Sequence, residues 1–134
     1  MSKHTIHTTP EQSAALMVLR TRIAEYGYAI LSVAPAFQRH TEDFVAMPHR
    51  SPNELVIVRP TATNTIVVRP YGHKTLYGNL KELIRLLQPR IPVPVKFGAP
   101  QLHFDRSDPD SGLQFIPENE REELRLLGYL AQKE

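Results

Sequence analysis

Apolar positions along the chain fall into runs of two periods, separated by prolines and glycines. Thr9-Pro-Glu-Gln12 has the form of a capping box with proline at the first helical position. Leu16, Leu19, Ile23 and Tyr26 follow at helical spacing, Ala15 fills the same face, and Gly27 supplies a stop. A helix is therefore predicted from about Pro10 to Tyr26. Tyr28 to Ala34 is a short apolar run closed by Pro35, which reads as a buried strand, and Asp43 to Met47 reads as a second, weaker one.

Two near-copies of one phrase come next, Val56-Ile-Val-Arg-Pro60 and Ile66-Val-Val-Arg-Pro70. Each is a β-branched run closed by Arg-Pro, so they predict a hairpin. If Arg59 pairs with Thr65 across a five-residue loop, Val56, Val58, Ile66 and Val68 form a wholly apolar face. The opposite face carries Leu55, Ile57 and Val67 at its centre and Arg59, Thr65 and Arg69 at its ends, with the arginines about 13 Å apart along the strands. Nothing continues the echo, so it is two strands and not a repeat array.

Asn79-Leu-Lys-Glu82 opens a second amphipathic helix carrying Leu80, Leu83, Ile84 and Leu87. Residues 89–112 are proline-rich and irregular, with an extended or edge-strand stretch at 89–98 and a possible strand at Gln101 to Asp105. Leu113 to Ile116 reads as a short strand. Pro117 opens a last helix whose buried stripe is Leu124, Leu127 and Ala131, widened by Leu126 and Leu130. This order predicts an α+β fold, an antiparallel sheet of about four to six short strands packed against two or three helices as a two-layer sandwich. One domain over 1–134 is expected, with residues 1–8 loose.

Composition narrows function mainly by exclusion. The 134 residues contain no cysteine, so disulfide and thiolate chemistry are absent. No apolar stretch approaches the roughly 18 residues of a membrane span, and the N-terminus lacks a signal-peptide run, so a cytoplasmic protein is expected. Charge is unevenly spread: residues 1–100 hold 12 Lys/Arg against 6 Asp/Glu, and residues 101–134 hold 4 against 8.

No nucleotide-binding, nucleophile-elbow or zinc motif occurs, and no cofactor or metal site is expected. His40 lies near Asp43 but reads as an exposed loop histidine, and Asp105 to Gly112 lacks the spacing of a calcium loop. The leading expectation is a small non-catalytic binding or regulatory protein acting through a protein partner or self-association, with Leu55, Ile57 and Val67 as the interaction face. The alternative is a nucleic-acid-binding module using Arg59, Arg69, Tyr71, His73, Lys74, Tyr77, Lys81 and Arg85, because cations interleaved with aromatics favour phosphates and stacked bases. An enzyme of unknown reaction stands third.

Overall fold

A computed structural model describes residues 8–48, 54–70, 78–98 and 111–130. Helix α1 (Pro10–Glu25) is followed by strands β1 (Ala29–Leu31), β2 (Phe44–Met47), β3 (Val56–Pro60) and β4 (Ile66–Pro70). Helix α2 (Gly78–Leu87), a 3₁₀ turn (Gln88–Arg90), strand β5 (Val95–Phe97), a second 3₁₀ segment (Ser111–Phe115) and helix α3 (Glu118–Leu127) complete the order. The fold is α+β, as the sequence pattern predicts. Its five strands run in the order β1-β2-β3-β4-β5, antiparallel up to β4; β5 pairs parallel to β4 because α2 carries the chain back across.

The capping box forms at the start of α1. Thr9 Oγ1 accepts from the Gln12 amide at 3.0 Å, and Gln12 Oε1 accepts from the Thr9 amide at 3.0 Å. Ala15, Leu16, Leu19 and Ile23 make the buried stripe, but Tyr26 stands 65% exposed, because the helix has already ended and Gly27 turns the chain at φ +97°. Gln12 belongs to the buried stripe although it is polar. Its Nε2 donates to the Thr61 and Thr65 carbonyls in the β3–β4 loop at 2.9 and 2.8 Å.

The hairpin register differs from the expected one by a single residue on each strand. Arg59 pairs with Val67 and Pro60 with Ile66, so the loop is Thr61 to Thr65. Asn64 takes φ +60° there, a left-handed position that asparagine tolerates better than most residues. Because both strands shift together, the face assignment survives: Val56, Val58, Ile66 and Val68 lie in one core with the stripes of α1 and α2.

Both Arg-Pro endings follow from the ladder. Val68 and Ile66 direct their backbone groups toward β5, through Gly98 N–H to Val68 O (2.9 Å) and Ile66 N–H to Pro94 O (3.0 Å). Alternation then points the ring nitrogen of Pro70 away from β3, and that of Pro60 toward β2, each beyond the last paired residue of the outer neighbour. Neither proline removes a ladder bond, and each stops the outer pairing where it stands.

The other sheet face is covered too, so helical segments lie on both sides of the sheet. Ala29, Val45, Met47, Leu55 and Ile57 pack with Leu113, Phe115, Ile116, Leu124 and Leu130. Leu113 to Phe115 lie in a 3₁₀ segment that ends before Ile116 and are not a strand, since four residues, three of them apolar, between Gly112 and Pro117 carry no decisive period. Helix α3 stops at Leu127 because Gly128 takes φ +87°, and the Tyr129 and Leu130 amides return to the Leu124 carbonyl. Leu130 is thereby folded inward, while Leu126 and Leu127, expected in the stripe, are 83% and 66% exposed. The predicted strand at 101–105 and Ala131 lie outside the described residues.

Gln12→Glu is expected to cost about 2–4 kcal/mol, since it keeps the cap acceptor but removes both donors to the loop and sets a charge beside two carbonyls. Thr9→Ala is expected to cost about 1 kcal/mol, as a lost cap. Urea unfolding of both variants checks the order; a near-neutral Gln12→Glu would mean that Gln12 serves the cap alone.

Candidate functional site at the edge of strand 1

Two structural features converge beside β1. The first is a buried ion pair at the head of β2. Asp43 Oδ2 accepts from the Arg39 and His40 amides at 2.8 and 3.1 Å, which closes the turn leading into β2. Arg59 reaches across from β3, its Nε 3.4 Å from Asp43 Oδ2 and its Nη2 donating to the Phe37 carbonyl at 3.0 Å. The 3.4 Å approach is an ion-pair contact without hydrogen-bond alignment, and Asp43 Oδ1 has no hydrogen-bond partner among the described residues. Burial raises the Asp43 pKa, opposed by the Arg39 amide, by the Arg59 charge and by His40.

His40, expected to be an exposed loop residue, is buried, and its Nδ1 accepts from the Glu42 amide at 3.0 Å. Its imidazole is therefore a structural acceptor within the turn. Glu42 in turn accepts from Thr8 and Ser13 at 3.0 and 3.2 Å, tying the turn to the start of α1.

The second feature is a cleft of about 450 Å³ that runs along the β1 edge. Its floor is Ile30, Leu31, Ser32 and Asp43; Arg20 of α1 stands on one side, and Asn119, Glu120 and Glu123 of α3 stand on the other. Arg20 is held 5.0 Å over the Phe44 ring.

The register decides what β1 offers to this cleft. Val45 and Met47 carry the β2 bonds to Leu31 and Ala29, so Tyr28, Ile30 and Ser32 turn their amides outward. The Tyr28 amide donates to the Ile23 carbonyl at 3.4 Å, and the Ser32 amide to Glu120 Oε1 at 2.8 Å. Ile30 turns its N–H and C=O to the open edge, with no strand paired there among the described residues.

The opposite edge is closed differently. On β5 the side chain of Gln88 takes the place of a neighbouring strand, its Oε1 accepting from the Val95 amide at 3.1 Å and its Nε2 donating to the Val93 carbonyl at 2.8 Å. A neutral amide thus satisfies a donor of β5 and an acceptor just before it, whereas one carboxylate satisfies a single donor just after β1.

The sequence-predicted site residues do not assemble into one surface. Leu55 and Ile57 are fully buried beneath the C-terminal segments, and Val67 is half-buried. Arg59 is committed to Asp43, while Arg69 lies against Gly98 and Val67 on the face remote from α1 and α2. Arg59 and Arg69 are diagonal neighbours in the observed register, closer than the expected separation, since Arg69 pairs with Ile57. Lys81 sits 5.4 Å from the Phe97 ring and Arg85 pairs with Glu82 at 3.0 Å, both on α2 over the other face. Tyr71, His73, Lys74 and Tyr77 lie outside the described residues.

Sequence reasoning missed Arg20, Ser32 and Glu120. The acidic start of α3 reads as simple helix-dipole complement, and nothing local announces that one of its carboxylates bonds to a strand 88 residues away. Among the described residues no group of three His, Cys, Asp or Glu is placed to hold a metal ion, and no helix is long and apolar enough to cross a membrane. No protein-family model, curated protein or solved structure matches the chain.

Arg59→Met is expected to cost about 3–5 kcal/mol at neutral pH, because it leaves Asp43 buried and unpaired. Asp43 has a raised folded pKa, so its protonated form is the one the fold favours; its contribution is present below the ordinary carboxylate value and lost as pH rises through the raised one. The variant's deficit should therefore shrink as pH falls into the acidic range. Paired urea melts of wild type and variant across that range check it, and a deficit that is flat or grows on acidification would contradict it.

Proposed function

We propose that the protein is a small non-catalytic binding protein that docks an extended segment of a protein partner as a sixth strand on β1. The observation that carries this is the Ser32 amide bonded to Glu120 Oε1 at 2.8 Å. A side-chain oxygen there occupies the place of a carbonyl from a neighbouring strand. Beside it the Ile30 amide and carbonyl face a cleft of about 450 Å³.

Main-chain bonds to an exposed edge supply affinity without demanding a sequence, and side-chain pockets beside the edge supply selectivity. The arrangement fits that division: β1 presents the backbone, and α1 and α3 raise a wall on either side. Regulation of a partner by masking one of its extended segments is the role such a device performs best. Among the described residues that line the cleft no nucleophile is paired with a base, and the buried carboxylate of Asp43 spends Oδ2 on two amides and Arg59.

Ser32→Pro tests the docking mode. Ser32 is exposed and follows the extended residue Leu31, so proline removes the outward N–H for about 1 kcal/mol of stability while leaving the β2 pairing intact. Random peptides selected on the full wild-type chain are expected to bind the variant at least about tenfold more weakly, because a docked strand loses a main-chain bond and meets the proline ring. Amide exchange should slow at Ile30 on binding. Selected peptides indifferent to Ser32→Pro would place binding elsewhere, and failure to select any would oppose the proposal.

A further inference from the structure

We infer that the cleft selects a strand that carries basic side chains on the α3 side, spaced two residues apart. This inference rests on the docking mode just proposed and adds the chemistry of the partner. It follows from how the sheet sorts charge along the β1 edge. Ala29 and Leu31 belong to the core that α3 covers, and Ile30 packs against the core that α1 covers. Directly opposed residues of neighbouring strands point to the same face. Residues of an added strand opposite Ala29 and Leu31 therefore face α3, and the residue opposite Ile30 faces α1.

The two walls differ in sign. On the α3 side stand Glu120 and the exposed Glu123, with Asp43 beneath them. Asp43 belongs to that side because it faces Arg59, whose strand neighbour Ile57 lies in the same core. On the α1 side stands Arg20, stacked over Phe44 of the other core.

Asp43 contributes an independent observation. It lines the cleft, is 4% exposed, and its Oδ1 has no hydrogen-bond partner among the described residues, although burying such an oxygen unpaired is costly. Arg59 approaches from β3, its Nε 3.4 Å from Oδ2. When an entering carbonyl takes the Ser32 amide, the Glu120 carboxylate is released as well and joins the exposed Glu123 as a free anion on the same wall, whereas Asp43 stays paired with Arg59. Lysine or arginine side chains opposite Ala29 and Leu31 answer that wall, and an apolar or acidic residue opposite Ile30 answers Arg20.

A second copy of this chain is a poorer occupant. Two β1 edges joined about a two-fold axis at Ile30 keep both α3 helices on one side of the joined sheet. That would bring two acidic walls together with both Glu120 side chains displaced.

Two synthetic probes of equal length separate the possibilities on the full chain, acetyl-Thr-Lys-Val-Lys-Thr-amide and its counterpart with Glu in both Lys positions. At low salt the Lys probe is expected to bind about fivefold tighter, since ion pairs at a partly exposed site are weak but additive in sign. The preference should fade at high salt and shrink toward parity in Glu123→Lys, an exposed position whose change does not touch the core. Slowed exchange at the Ile30 and Ser32 amides must accompany binding of either probe. If both probes slow those amides with equal affinity, or the Glu probe binds tighter, the charge inference falls while strand docking stands. If neither probe slows them, both fall together.

Discussion

The side chain of Gln12 is the constraint on which the arrangement of layers depends. One residue completes the cap of α1 through Oε1 and grips the β3–β4 loop through Nε2. The helix start is thereby fixed to the hairpin tip, where Thr9 Oγ1 also donates to Asn64 Oδ1 at 2.6 Å. Glu42 adds a second tie from the same first turn to the entry of β2. With its first turn held at two points of the sheet, α1 lays Leu16, Leu19 and Ile23 along one face, and Gly27 returns the chain as β1 at the sheet margin. The cleft inherits its α1 wall from that placement, because Arg20 lies on the same rigid helix.

Much of this frame was legible in the sequence because each signal had a single physical meaning. Thr9-Pro-Glu-Gln12 satisfies the orphan amides of a helix start in one way, and Val56 to Pro70 alternates so cleanly that a one-residue error in loop position left both faces correct. Errors arose where a local pattern was compatible with two conformations. Leu113 to Ile116 is too short to show a period, and the C-terminal leucines were read through Gly128 as one helix when that glycine ends it. Gln12 itself was seen as a cap and not as a core residue, because its second role depends on a loop 49 residues away.

The site was far less legible. Leu55, Ile57 and Val67 stood out as an apolar centre on the second sheet face, and covering that face requires only apolar segments somewhere downstream. The C-terminal leucines and Phe115 supply them. Arg59 looked like a surface cation because it stands near the end of a strand, yet the carboxylate of Asp43, just before β2, lies opposite it and turns it into a buried partner. Cation sequences show charge but not destination. Edges are harder still, since which backbone amides face outward depends on strand order and register, neither of which leaves a mark in composition.

The two edges of the sheet show why their caps matter. An uncapped edge invites indiscriminate pairing, so a fold that uses one edge must protect it without sealing it. Gln88 seals the β5 edge: its amide is neutral and spends both polar atoms on the outward backbone groups of Val93 and Val95. Glu120 only guards β1. A carboxylate that leaves Ser32 is immediately solvated, so exchanging it for an entering carbonyl conserves the hydrogen bond at Ser32 and frees a charge near the incoming chain. The exchange is then nearly neutral at Ser32, and the net gain comes from Ile30, whose amide and carbonyl acquire partners, and from whatever the freed charge meets. In the proposed docking mode selectivity resides in the guard: the group that protects the edge from unsuitable strands becomes part of the surface that recognises a suitable one.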